Sequence, residues 1–175
     1  MAGIYTRTGD TGTTTHPQEG RVHKSDDVLE VLGLLDEAQV ALGSALSWCE
    51  QDATDTDFSE LTGSLARCMH DLFLCGVASL QETLPTETAW VESEIDRLEK
   101  QLPTLRGFIA PGGCELACRL HHARVNVRRL ERALWKAGTP PLPVSSFINR
   151  LSDYCFVTAR YANHLAGYDD SKPYE

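Results

Sequence analysis

The chain has 175 residues, 16 Lys plus Arg against 25 Asp plus Glu, a formal net charge of -9 and six cysteines. That length fits one domain with a full hydrophobic core, and the acidic balance argues against nonspecific DNA or RNA binding, which needs basic residues spread over a broad surface. No apolar run approaches the roughly 20 residues that cross a bilayer, and the first residues lack the apolar core of a secretory signal. The expectation is a cytoplasmic protein, or an organelle-matrix protein whose targeting peptide is absent, with neither nucleic acid nor membrane as partner.

Residues 1–24 read as an extended arm. Within it, Tyr5-Thr6-Arg7-Thr8-Gly9-Asp10-Thr11-Gly12-Thr13-Thr14 interleaves glycines with hydroxyl side chains. The segment does not match GxxxxGK[ST], and a plain turn is one reading. The other is a nest, in which Gly9 and Gly12 let successive N–H groups point at one anion. Lys24 adds a point charge, and Asp10 or the Thr8 and Thr13 hydroxyls offer oxygen to a magnesium ion directly or through water.

Helical periodicity dominates after residue 25 and predicts an all-α fold. The first helix starts at Ser25 or Asp26, whose side chains suit an N-cap, carries Val28, Leu32, Leu35, Leu42 and Leu46, and ends near Cys49. The second runs from about Phe58 to Leu84, where Pro85 stops it. A third spans about Thr88 to Leu102 with Val91, Ile95 and Leu98 inward. The stretch Pro103 to Gly113 is a loop because its prolines and glycines forbid a continuous helix, and Phe108 on it is either a plug for the core or a ligand contact. The fourth helix covers about Cys114 to Lys136, the fifth about Val144 to Ala166, and residues 167–175 form a loose tail. Five amphipathic helices on short connections make an antiparallel bundle over residues 25–166.

On the fourth helix Leu116, Leu120, Ala123, Val127, Leu130 and Leu134 make the core stripe, and Arg124, Arg128 and Glu131 form the row beside it. Guanidinium forks suit phosphate or carboxylate. The plainer reading is a solvated face in which Glu131 pairs Arg128. Asn149, Asp153 and Arg160 share an edge of the fifth helix, and Asp36 sits beside Leu35 on the first, where a carboxylate needs a cationic partner. A fourth-helix arginine is that expected partner, within a subunit or across an interface.

The six cysteines (Cys49, Cys68, Cys75, Cys114, Cys118, Cys155) form no CxxC pair and read as reduced packing residues. No repeated Glu-x-x-His supports a di-iron bundle, and the adjacent His121 and His122 point apart. His16 and His23 are expected to be solvated.

Tyr5-Thr6-Arg7-Thr8-Gly9-Asp10-x-Gly12, Arg21-Val22-x-Lys24, Gly33-x-x-Asp36-Glu37, Phe108-Ile109-x-Pro111-Gly112-Gly113, Arg124-x-x-x-Arg128-Arg129-x-Glu131-Arg132 and Asn149-Arg150-Leu151-Ser152-Asp153-Tyr154 occur in one order over nearly the whole chain. In this the chain resembles the PduO-type ATP:cob(I)alamin adenosyltransferases. It departs from their pattern at Thr11, at residues 15–20 and at Gln39.

The resemblance implies a homotrimer of five-helix bundles with active sites between subunits, Mg2+ carried with ATP, and cobalamin as substrate. Co(I) attacks the 5′ carbon of ATP, adenosylcobalamin forms and triphosphate leaves. It implies ATP contacts at Tyr5, Thr6, Arg7, Thr8, Gly9, Asp10, Gly12, Thr13, Lys24, Arg128, Glu131 and Asn149. Arg124 is implied to pair with Asp36 of the adjacent subunit, Arg128 to act on the triphosphate, and Phe108, with Asp153, to meet the corrinoid, Phe108 excluding its lower axial ligand. Tyr154 and Phe156 read as packing. A cobalamin reductase and a B12-dependent acceptor enzyme are the further partners implied. The alternatives are a non-catalytic corrinoid and ATP-binding carrier or sensor of the same fold, and a bundle whose arginines only join subunits.

Overall fold

The computed structural model describes residues 3–17, 19–51, 56–78 and 88–169. A short hairpin, β1 (Thr13–His16) and β2 (Gly20–His23), precedes five helices: α1 (Asp27–Cys49), α2 (Thr62–Ala78), α3 (Ala89–Glu99), α4 (Glu115–Ala137) and α5 (Leu142–Leu165). A single turn of 3-10 helix, Ser59–Leu61, leads into α2. The second helix therefore begins later than periodicity predicts, and its expected end at Leu84 lies outside the described residues, as does the tail beyond Asp169.

The hairpin corrects the expectation of an extended arm. Its strands are antiparallel, with Thr13 opposite His23 and His16 opposite Gly20. His16, expected to be solvated, is buried and accepts a hydrogen bond from the Glu19 N–H at 3.3 Å. His23 is exposed as expected. Asp26 does not cap α1 with its side chain. Its Oδ2 instead accepts from the His23 N–H at 2.9 Å, which ties the hairpin to the start of the helix.

Side-chain pairs set the helix directions. Lys136 meets Asp27 and Arg119 meets Ser44, so α4 runs antiparallel to α1. Asn163 meets Cys114 and Asn149 meets Glu131, so α5 runs antiparallel to α4. Gln39 donates to the Met69 carbonyl at 2.8 Å, joining α1 to α2, and Trp90 donates to Asp71 at 2.9 Å, joining α3 to α2. The bundle is not antiparallel throughout. Glu92 pairs with Arg150 and Gln101 with Tyr161, so α3 and α5 lie parallel. Five helices alternating up and down around a closed ring leave one parallel pair, because five is odd.

Leu42, Leu72, Leu98, Leu120, Leu130 and Leu151 fill the centre, each contributing about 1.5–3 kcal/mol by leaving water. Of the expected α1 stripe only Leu35 and Leu42 are fully inside, and the small residues Ala38, Ala41 and Ala45 complete that face. Tyr154 is fully buried and donates to Ser64 Oγ at 2.8 Å, a packing residue as expected, whereas Phe156 is half-buried. No helix among the described residues is long and apolar enough to cross a membrane.

Candidate functional site

Three groups of side chains stand outside the packing pattern. The first is the loop ahead of the hairpin. Two turns follow one another, with Asp10 N–H to Arg7 O at 3.4 Å and Gly12 N–H to Gly9 O at 3.3 Å. Arg7 at φ 61° and Gly12 at φ 82° take left-handed conformations, which curl the backbone as a nest requires. The Arg7 guanidinium lies 5.6 Å from the Tyr5 ring centroid, and the Thr6 and Thr8 hydroxyls bond each other at 2.8 Å.

Lys24 joins this loop twice. Its N–H donates to Gly12 O at 2.9 Å, and its ammonium lies over Gly9, where an added Cβ would meet Nζ at 3.2 Å. Arg21 was part of the motif but carried no role. It donates to Thr8 O at 2.8 Å and to Thr13 Oγ1, spanning the loop from the second strand. Asp10 is exposed on the same loop.

The second group lies on the seam of α4 and α5. Asn149 Nδ2 donates to Glu131 Oε1 at 2.9 Å, which replaces the simple Glu131–Arg128 pairing. Arg150 Nη1 donates to Asn149 Oδ1 at 2.9 Å and to Asp153 Oδ2 at 3.3 Å, while its Nε reaches Glu92 on α3 at 2.9 Å. Arg128 is exposed and makes no ion pair among the described residues. Arg124 is half-buried beside Cys155, its Nε enclosed and without a hydrogen-bond partner among the described residues. Burial pushes the Cys155 thiol up to about 12, and the Arg124 charge pulls the other way.

Asp36 is exposed and has no ion-pair partner among the described residues of its own chain. The acids of α1 that pair with α4 among the described residues are instead Asp27 with Lys136, at 2.6 Å, and Glu30 and Glu37 with Arg129, at 3.4 and 3.1 Å. Within one subunit the expected pairing of Asp36 with a fourth-helix arginine is thus not made. Gln39 turns to α2, away from this row.

The third group is the loop 103–113. Phe108 is 104% exposed, so it does not plug the core. With Arg106, Gly107, Ile109 and Arg160 it lines a cavity of about 600 Å³. Arg160, expected on the edge with Asn149 and Asp153, is buried instead and donates to Pro103 O at 2.9 Å. Asn163, which sequence reasoning missed, bonds both Gly112 and Cys114. Cys118 also departs from expectation, being exposed. Cys49, Cys68, Cys75 and Cys155 are buried as packing residues, and Cys114 is half-buried.

Fold and site together define a class: a helical bundle with a tightly turned, glycine-bearing loop at its amino-terminal end, an arginine-bearing seam and an exposed aromatic on a proline-glycine loop. Residues 4–162 match the family model described as cobalamin adenosyltransferase, and the chain belongs to that family. It is 39% identical over 180 residues to the corrinoid adenosyltransferase of Mycobacterium tuberculosis, covering 91% of this chain and 88% of that one. The corrinoid adenosyltransferase of Bacillus subtilis is 36% identical over 177 residues, covering 95% and 90%. Among solved structures, a variant PduO-type ATP:corrinoid adenosyltransferase from Lactobacillus reuteri complexed with cobalamin and ATP superposes with TM-score 0.84 at 34% identity, covering 96% of this chain and 97% of that one. A second variant of that enzyme, complexed with ATP, gives TM-score 0.85 at 34% identity over 98% and 100%.

Proposed function

We propose that this protein transfers the 5′-deoxyadenosyl group of ATP to the cobalt of a reduced corrinoid, releasing triphosphate, and that it does so as a homotrimer. The observation that carries this reading is the split of polar groups within one chain. The turned loop with Lys24 and Arg21 belongs to the hairpin, and Arg128, without an ion pair among the described residues, belongs with the Asn149–Glu131 pair to the α4–α5 seam. No hydrogen bond or ion pair among the described residues joins the two. A second subunit brings the arm of one chain to the arginines of its neighbour and gives Arg124 and Asp36 their partners.

In this arrangement residues 1–24 act as the nucleotide arm and residues 25–166 as the bundle. The loop N–H groups, with Tyr5, Thr6, Arg7, Thr8, Gly9, Asp10, Gly12 and Thr13, wrap the triphosphate. Glu131 and Asn149 hold the nucleoside end. Among the described residues no group of three His, Cys, Asp or Glu forms a metal cage, and the oxygen donors at hand are Asp10 and threonine hydroxyls. That donor set fits Mg2+ held mainly by the phosphates, where it would neutralise part of their charge.

Reaction needs no protein nucleophile. The Co(I) electron pair forms the bond to C5′ as the C5′–O bond breaks, and that bonding pair leaves with the triphosphate. The protein supplies alignment, for which effective molarities reach about 10⁵ M or more, and charge, with Arg128 and Lys24 meeting the anion that accumulates. Phe108 covers the lower face of the ring, and Asp153 is the second residue that meets the corrinoid. Excluding the lower ligand there removes an electron donor and eases reduction to Co(I), axial ligation being a lever on metal potential.

The test is turnover under a strong reductant with the wild type and Arg128→Ala, each also sized by sedimentation. The reading requires adenosylcobalamin from the wild type, loss of product in the variant and a trimer in both. Full turnover in Arg128→Ala removes the role given to that residue, and a monomeric wild type removes the shared site.

A further inference from the structure

The loop that displays Phe108 runs from Pro103 to Gly113. Residues 104–108 are all exposed, and the carbonyls and N–H groups that anchor it lie at its ends. Both anchors reach the same helix. At the start, Arg160 Nη2 donates to Pro103 O at 2.9 Å. At the end, the Asn163 amide makes two bonds at once: Oδ1 accepts from the Cys114 N–H and Nδ2 donates to Gly112 O, both at 2.9 Å.

Arg160 and Asn163 are three residues apart, so they share one face of the last turns of α5. They are 5% and 2% exposed, which keeps water from replacing these bonds. Packing tightens the second anchor further. A Cβ at Gly113 would be driven into the Asn163 side chain, and its φ of 108° already disfavours any residue but glycine.

We propose that Asn163 is a positioning residue for the corrinoid: with Arg160 it clasps both ends of the Phe108 loop and holds the aromatic ready before substrate arrives. The proposal rests on the reading of Phe108 as a corrinoid contact. A loop of this length released at one end samples many more conformations, and the ordering cost then falls on binding. The nucleotide is bound elsewhere, by the arm and the α4–α5 seam, so the cost is specific to one of the two substrates.

Four variants separate the possibilities: Asn163→Ala, Gly113→Ala, which strikes the same clasp from the loop side, Phe108→Ala, and Tyr161→Phe. Tyr161 sits on the same helix and bonds Glu60 and Gln101 without touching the loop. KM is measured separately for reduced corrinoid and for ATP, and trypsin cleavage after the exposed Arg106 reports loop release without reference to activity. Asn163→Ala is expected to raise the corrinoid KM about tenfold and speed cleavage after Arg106 by a similar factor, with the ATP KM changed by less than about twofold. Gly113→Ala should follow it, and Tyr161→Phe should do neither.

If Asn163→Ala does not accumulate as folded protein, Gly113→Ala decides. Unchanged corrinoid KM in the clasp variants beside a raised one in Phe108→Ala overturns the clasp and leaves the Phe108 reading standing. An unchanged corrinoid KM in Phe108→Ala overturns that reading and the clasp with it. A rise in both KM values together, or an equal rise in Tyr161→Phe, shows a merely structural residue and also overturns the proposal.

Discussion

Asn149 and Glu131 are joined across the α4–α5 seam by a hydrogen bond of 2.9 Å, the asparagine amide donating to the carboxylate. Arg150 holds the other end of the same amide at 2.9 Å. Both polar atoms of Asn149 are therefore oriented before any nucleotide is present. Asn149→Ala is expected to raise the KM for ATP about tenfold, the worth of roughly one oriented hydrogen bond. Asn149→Asp should be worse, because it sets a second carboxylate against Glu131 and near the nucleotide. Steady-state kinetics in ATP at saturating corrinoid read both.

Arg129 and Arg128 are neighbours with different expected fates. Arg129 pairs with Glu30 and Glu37 at the surface, where all three side chains are at least half exposed. Arg129→Ala is therefore expected to cost no more than about 1 kcal/mol of stability, and less at high salt. Denaturant unfolding with and without added salt measures this. A loss several times larger would contradict the surface placement of these pairs.

Gly12 has φ 82°, and a Cβ on it would meet His23 Nε2 at 3.4 Å. Gly12→Ala should distort the loop at a local cost of about 1 kcal/mol while leaving the bundle's unfolding midpoint unchanged. Calorimetric titration with Mg-ATP is expected to show weaker binding. Gly9→Ala should act on the same quantity by pressing on Lys24 Nζ.

The buried thiols set an alkaline limit. Burial pushes Cys75 and Cys155 up to about 12 and Cys49 up to about 11. Their pKa values are raised on folding, so the unfolded chain gives up these protons first, near about 8.5. Their contribution to stability is fully present below that pH and is lost as pH rises through the folded values. Urea unfolding should give a free energy insensitive to these thiols near about pH 7 and falling above about pH 9. Cys155→Ala should fall less steeply over the same window.

The five helices were legible because apolar residues recur at helical spacing, and α5 places Ile148, Leu151, Cys155 and Ala159 inward as that pattern requires. The hairpin was not. Its strands are four residues each, mostly polar and partly exposed, so neither face writes an alternating pattern. The parallel α3–α5 contact was hidden because periodicity gives a helix its inner face and says nothing of its neighbours. Asn163 carried half a signal, a polar residue four beyond Ala159 near the buried stripe. Its partners lie about fifty residues earlier in backbone atoms that no side-chain pattern marks. Asp36 shows the same limit from the other side, since a charge beside an apolar stripe does not say what, if anything, meets it, and among the described residues it has no ion-pair partner.

The most direct measurement mixes the protein with Mg-ATP and cob(I)alamin under a strong reductant and follows adenosylcobalamin and triphosphate together. The expected result is many turnovers per subunit, with one triphosphate released for each adenosylcobalamin formed. Binding of both ligands with no triphosphate would contradict the account and leave a carrier or sensor in its place.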